Sequence, residues 1–208
     1  MYTPAHFRID DAALIGAFMR QFDFAAIVTQ SPAGLVASHV PVIVTGEGDS
    51  LQIVGHLARA NDHWQLMDGK TESMAIFSGP HAYISPSWYV STGTTVPTWN
   101  YAVVHVRGRA RIVTDRAATL ATLQHMVARF EGGRAAPWRL QLEGARLDAM
   151  VGAIVAFEME IERIDAKFKL SQNRDEADRR RVASALRSEA YADATATADW
   201  MDREAGSE

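Results

Sequence analysis

The sequence predicts a mainly β protein, an antiparallel barrel with helices on its periphery and a helix at its C-terminal end. Three observations predict it. Strand-like alternation recurs in segments separated by short turn signals at residues 31–34 and 46–49, a spacing that antiparallel hairpins use. Helical periodicity is confined to a few separate stretches between those segments. Residues 77–101, FSGPHAYISPSWYVSTGTTVPTWNY, interleave large rings with Gly, Pro, Ser and Thr, unlike an aliphatic core.

Each element follows in order. Asp10 or Asp11 suits the cap of a first helix, with Leu14, Ile15, Phe18 and Met19 on one face. Residues 22–29, 35–45 and 51–56 read as three strands. Asn61 or Asp62 starts a short helix through His63, Trp64, Leu66 and Met67. Residues 72–85 read as a strand with a Gly-Pro interruption. The small polar segment 91–95 has the composition of a mobile flap. Residues 99–113 form a long strand in which Gly108 marks a bulge or a close backbone approach.

Thr114 or Asp115 caps an amphipathic helix with Leu120, Leu123, Met126, Val127 and Phe130, ended by Gly132 and Gly133. A short amphipathic stretch carries Leu140, Leu142 and Leu147. In the strand 154–164, Glu158, Glu160 and Glu162 face one way, and Val155, Phe157, Met159 and Ile161 the other. Asn173 and Glu176 form a capping-box-like start to a last helix, and the tail from Ala192 is expected to fray.

Composition sets the limits. The chain has 208 residues, 48% hydrophobic and 22% charged, as expected of one globular domain or a domain with an appendage. It has no cysteine, which removes disulfides, thiolate metal sites and thiol catalysis. No apolar run approaches a membrane span. The N-terminal stretch lacks the pattern of a secretion signal, so a cytoplasmic location is expected. The formal net charge of −4 argues against a broad DNA-binding surface, though not against a local patch.

Several longer motifs carry a resemblance. MYTPAHF (1–7), SHVPV (38–42), GHLARAN (55–61), GPHAYISPSWY (79–89), VPTWNY (96–101) and KFKLSQN (167–173) closely resemble the PaiB family, in that family's order and over most of the chain. The resemblance implies a split barrel like that of pyridoxamine-phosphate oxidases, spanning residues 1–170, with a C-terminal helical extension over 171–208. It also implies a homodimer, FMN as cofactor, flavin sites at the subunit boundary, and a role as a negative transcriptional regulator.

Candidate site residues follow from the residues and the resemblance together. Gly55, His56, Arg59 and Asn61 end a strand and enter a helix, where backbone amides and an arginine suit a phosphate. In the relatives the flavin phosphate sits at the corresponding turn. A solvated surface arginine fits the same pattern. His39 lies on the preceding strand and is placed to approach the pocket with His56, or to be a satisfied barrel histidine. Trp88, Trp99 and Tyr101 are candidates for the flavin ring, with Asn100 at its edge; dimer packing favours the same rings. Alternation puts Trp99 and Tyr101 on one strand face and Asn100 on the other. Lys169 and Gln172 lie in a polar-basic motif suited either to an anion or to capping the next helix.

The histidines lack a metal-binding spacing, so no metal is expected. Arg179, Arg180 and Arg181 are interspersed with acids, as on a solvated face, with no helix-turn-helix around them. Three functions remain. The first is flavin-dependent regulation, with flavin as a sensed or structural ligand. The second is an FMN-dependent oxidoreductase on the same fold. Haem binding is the third, disfavoured because no histidine follows His125.

Overall fold

The computed structural model describes residues 1–90 and 95–205; the expected flap falls, at 91–94, outside the described residues. Seven strands form one sheet: β1 (Arg8–Ile9), β2 (Phe24–Ser31), β3 (Gly34–Thr45), β4 (Gln52–Ala58), β5 (Asp68–Ile84), β6 (Thr98–Ile112) and β7 (Ile154–Lys169). Among the described residues, five α-helices accompany them: α1 (Ala12–Gln21), α2 (Arg116–Glu131), α3 (Gly144–Gly152), α4 (Glu176–Arg187) and α5 (Ala192–Ala205). The strand order is β1-β7-β4-β3-β2-β5-β6, and β7 also pairs with β6. Six strands therefore close into a ring, which removes the free edges an open sheet would expose, and β1 hangs on β7.

The chain forms two compact units, one from residues 12–77 and 105–164 and one from residues 1–11, 78–104 and 165–208. Strands β5, β6 and β7 each contribute to both.

In the larger unit the register sorts side chains cleanly. Val42 pairs with Gly55 and Gly55 with Phe157, while Ile53 pairs with Met159. Cross-strand partners share a face, and this face, with Ala25, Ile27 and Ala75, is the buried core. Gly108 is there because β6 and β7 nearly touch: a Cβ built on it would lie 1.8 Å from the Glu160 carbonyl oxygen. That settles the sequence alternatives in favour of close backbone approach.

Helix α2 starts where expected, with the Asp115 carboxylate accepting from Ala118 N at 2.7 Å. Its buried residues are Thr119 and Met126, whereas Leu120, Leu123 and Val127 stay half-buried and Phe130 is exposed. The leucine stripe is thus not its main contact. Thr122 and His125 instead border a cavity over Ile43 and Val54 on the outer sheet face.

The smaller unit departs from the sequence expectations in three places. Strand β5 runs through Gly79 and Pro80 without a break. The cap of α4 is Asp175, accepting from Asp178 N at 2.8 Å, two residues beyond the expected Asn173. Over its described residues, 192–205, the tail does not fray. Ala194, Thr197, Ala198, Trp200 and Met201 are buried along α5, and the Trp200 ring meets Phe168 edge-on at 5.3 Å. Spacings of three and four residues make that stripe helical. The small side chains let α5 lie close on α4, with Arg187 paired to Asp199 and Asp202.

Candidate functional site

The residues expected to hold a phosphate lie in the larger unit. Arg59 follows the end of β4, exposed, and its Nε and Nη2 donate to the Gly152 and Ile154 carbonyls at 2.6 and 2.8 Å. These bonds fix the guanidinium at the mouth of a cavity of about 370 Å³, whose wall includes Trp64, Arg116, Thr119 and Asp148. Arg116 is ion-paired with Asp148. The cavity can admit a small polar group next to a positioned arginine, at the capped start of α2.

Asn61 turns inward. Its Oδ1 accepts from His63 N at 3.1 Å, and its Nδ2 donates to Ser38 Oγ at 3.0 Å. A continuous buried chain follows. His63 Nδ1 lies 2.9 Å from Ser38 Oγ, His63 Nε2 lies 2.9 Å from Thr29 Oγ1, and Thr29 Oγ1 lies 2.7 Å from Ser73 Oγ. This network ties β2, β3, β5 and the 3-10 turn Asp62–Leu66 together. Burial lowers the His63 pKa, so the ring stays neutral and can both donate and accept.

The other residues of this group have local partners. Gly55 accommodates the Phe157 ring, which would lie 2.9 Å from an added Cβ. His56 Nδ1 packs 3.2 Å from Met126 Sδ under α2, and burial lowers its pKa. His39 is exposed and stacks on Phe24 with centroids 6.3 Å apart. Sheet register puts His39 and His56 on the same face, but only His56 lies beneath the helix.

The smaller unit holds the aromatic group. Trp99 is 51% exposed, with the His81 and Tyr83 rings 6.1 and 6.2 Å away. His81 Nδ1 lies 3.2 Å from the Asp193 carboxylate. Three polar-edged rings therefore face solvent together. Trp88 is half-buried in the 3-10 turn Pro86–Trp88. Asn100 is fully buried, its Nδ2 donating to Ser171 Oγ at 2.9 Å and reaching Met201 Sδ at 3.4 Å. The predicted alternation holds: Trp99 faces out where Asn100 faces in.

The motif 167–173 folds into a rigid turn. Ser171 takes a left-handed φ of 70°, and the Gln172 amide clasps the chain, donating to Phe168 O at 2.6 Å and accepting from Leu170 N at 2.7 Å. Lys169 Nζ donates to Thr98 Oγ1 and Trp99 O, both at 2.6 Å. Burial foremost, then the Lys167 and Arg174 charges, hold its ammonium below the ordinary lysine pKa. Lys167 is buried, with Nζ 5.1 Å from the Tyr101 ring centre.

Sequence reasoning missed the His63 network and Arg174. His63 sits one residue past Asp62 in a polar 3-10 turn, where no periodicity marks it as buried. Arg174, whose guanidinium lies 4.6 Å over Tyr89, directly follows the motif, and that adjacency was the available signal.

Comparison with known proteins places this geometry. The fold is a split β-barrel. It matches the flavocytochrome Anf3 from Azotobacter vinelandii with a TM-score of 0.64 at 16% identity, covering 83% of this chain and 74% of that one. It matches the FAD and haem binding protein from Mycobacterium smegmatis with a TM-score of 0.63 at 12% identity, covering 83% and 78%. The family model described as "Putative FMN-binding domain" matches residues 1–163. The chain is 35% identical over 205 residues to "Protease synthase and sporulation protein PAI 2" of Bacillus subtilis (strain 168), covering 97% of each. It therefore belongs to the PaiB family, as its motifs indicated.

Among the described residues, no three histidines, aspartates or glutamates converge as a metal site, and no helix is long and apolar enough to cross a membrane.

Proposed function

We propose that this chain is a homodimeric, FMN-binding regulator of gene expression in the cytoplasm, with flavin as a sensed or structural ligand. The observation that carries the reading is similarity over 97% of the chain to a relative named "Protease synthase and sporulation protein PAI 2", together with the match to the family model described as "Putative FMN-binding domain". Flavin supplies reversible redox chemistry when bound. The chain's own residues would hold and orient it. The fixed Arg59 guanidinium beside an open cavity suits the phosphate, with His39, Gly55, His56 and Asn61 shaping that side. The solvent-facing Trp99 suits a flat ring, with Trp88 and Tyr101 as the other rings of that group, Lys169 holding the Trp99 carbonyl, and the buried Asn100 and clasped Gln172 bracing it from within.

Dimerisation is supported by one face of the larger unit. Phe24 and Leu35 are 64% and 73% exposed there, and Ala26, Val28, Met74 and Ile76 are half-buried on the same side of β2, β3 and β5. Clustered exposed apolar side chains on a sheet mark an interaction surface. A second copy presenting the same face is self-complementary under two-fold symmetry. Any DNA contact is indirect or local, because Arg180 is paired with Glu176 and the arginine run shares its helix with acids.

A second reading, an FMN-dependent oxidoreductase, is favoured by the exposed Trp99, Tyr83 and His81 cluster, which offers a surface for a flat substrate. Spectra before and after FMN addition test the shared cofactor claim; absence of any flavin signal would remove both readings. Turnover with nicotinamide donors supports the enzyme, and sequence-specific DNA retention supports the regulator.

A further inference from the structure

Two arginines share the wall of the cavity at the start of α2. Among the described residues, Arg59, Arg116 and Asp148 are its charged lining, two positive charges and one negative. All three belong to the larger unit. Helix α3 supplies acceptors to both arginines. Asp148, one turn before the end of α3, is ion-paired with Arg116. The Gly152 carbonyl at that end accepts from Arg59 Nε at 2.6 Å.

The two arginines are held in different ways. Arg59 is clamped by backbone carbonyls on Nε and Nη2. Its Nη1 has no protein acceptor among the described residues, and neutral carbonyls leave its full charge in place. Arg116 meets a full negative charge instead, in a pair whose side chains are 56% and 60% exposed. Such a pair contributes little, because water screens it and both side chains lose freedom in holding it. Among the described residues, the Asp148 carboxylate has no partner besides Arg116, and α3 itself buries only Val151. Asp148 is therefore free to turn out to solvent at small cost.

The cavity, at about 370 Å³, falls in the size range of small-ligand sites. A phosphate monoester carries a charge of about −1.5 to −2 at neutral pH. With Asp148 on the wall, that group meets one net positive charge and a repelling carboxylate. With Asp148 turned away, it meets two guanidinium groups, which match its charge and offer N–H donors in the fork geometry that phosphate oxygens accept. The Asp148 carboxylate thus stands on Arg116 as a ligand's oxyanion would.

We propose that Arg116 is a second phosphate-binding residue beside Arg59, and that Asp148 is an internal competitor which the ligand's phosphate displaces. In naming that phosphate as the flavin's, the inference rests on the function proposed above. The roles of Arg116 and Asp148 apply to any phosphate group entering this cavity.

The test is calorimetric titration of the full chain at constant ionic strength with three probes: FMN, riboflavin, which has the same ring but no phosphate, and inorganic phosphate. Arg116→Gln should weaken FMN binding roughly tenfold or more, the loss that follows removal of one charged hydrogen-bond donor. Asp148→Asn should act in the opposite sense and tighten it by up to about fivefold, the worth of an exposed ion pair that no longer has to be broken. Inorganic phosphate should follow FMN in both directions, and riboflavin should respond to neither variant. Both positions are exposed, so the variants should melt with the parent. Arg180→Gln and Glu176→Gln remove the same charges from the exposed ion pair of α4 and should leave FMN binding unchanged. Two cavity variants that shift FMN in the same direction, that leave both FMN and phosphate unmoved, or that shift riboflavin equally would each overturn the assignment. Phosphate binding with the opposed shifts, in a protein that takes up no FMN, would support the assignment and remove the flavin reading. Binding of neither FMN nor phosphate would overturn both.

Discussion

Gly108→Ala tests how the strand ring closes. A methyl group at this position would sit 1.8 Å from the Glu160 carbonyl oxygen, 2.9 Å from its carbon and 3.3 Å from Ile161 Cα. These are backbone atoms, so no side chain can swing aside. Ordinary contact needs about 3.5 Å, and β6 and β7 would have to part locally by about 1.7 Å. Backbone hydrogen bonds near 2.9 Å do not survive such a shift. Losing about two of them costs roughly 2 kcal/mol, and overpacking adds about 1–3 kcal/mol. The expected destabilisation is about 3–5 kcal/mol, or a Tm lowered by roughly 6–20 °C for a chain of this size. Thermal unfolding followed by circular dichroism reads it. Gly133→Ala is the control, because nothing lies within 4 Å of its Cβ position, and it should stay within about 0.5 kcal/mol of the parent. A Gly108→Ala protein melting within a degree of the parent would refute the close approach and the closure argued from it.

Other predictions follow the same logic. Ser38→Ala leaves Asn61 Nδ2 and His63 Nδ1 without their buried partner and should cost about 1–3 kcal/mol in urea unfolding; Ser31→Ala, at the exposed hairpin, should cost less. His56 and His63 both have pKa values lowered by burial from 6.5, so protons bind the unfolded chain first. The stability they leave intact above that value is lost as pH falls through and below it, with a slope of up to about 1.4 kcal/mol per pH unit for each. Denaturant midpoints at pH 8 and pH 5.5 measure it, and His56→Gln should flatten the slope. Leu35→Asp should convert a dimer to a monomer in light scattering while leaving the melting of dilute protein nearly unchanged; an unaffected dimer would move the interface elsewhere.

Much of the fold was legible because local chemistry and tertiary role agree. The hairpin turns at Gly34 and Gly46, with φ of 119° and 75°, announce themselves by residue type. Asp115 caps α2 as a short acid before a periodic run should. Gly108 stood out as a glycine inside a strand. What was not legible depends on contacts across the sequence. The Ala- and Thr-rich tail looks weakly amphipathic until Phe168 gives Trp200 something to meet. Pro80 suggests a break, yet β5 passes through it. The site was legible as a set of segments rather than as partnerships. Sequence placed Asn61 and Gln172 in polar turns, but only the structure shows their amides turned onto Ser38 and onto the backbone of their own turn. Nothing in a linear pattern marks Lys167 as a buried cation without an acid.

The central claim is that this split barrel takes up a flavin. Titrating purified full-length protein with FMN, while following visible absorbance and quenching of flavin emission, tests it most directly. Saturable quenching with a shifted flavin band, weakened by Arg59→Gln, is the predicted result. Flavin spectra unaltered by the protein, even at millimolar FMN, would contradict it.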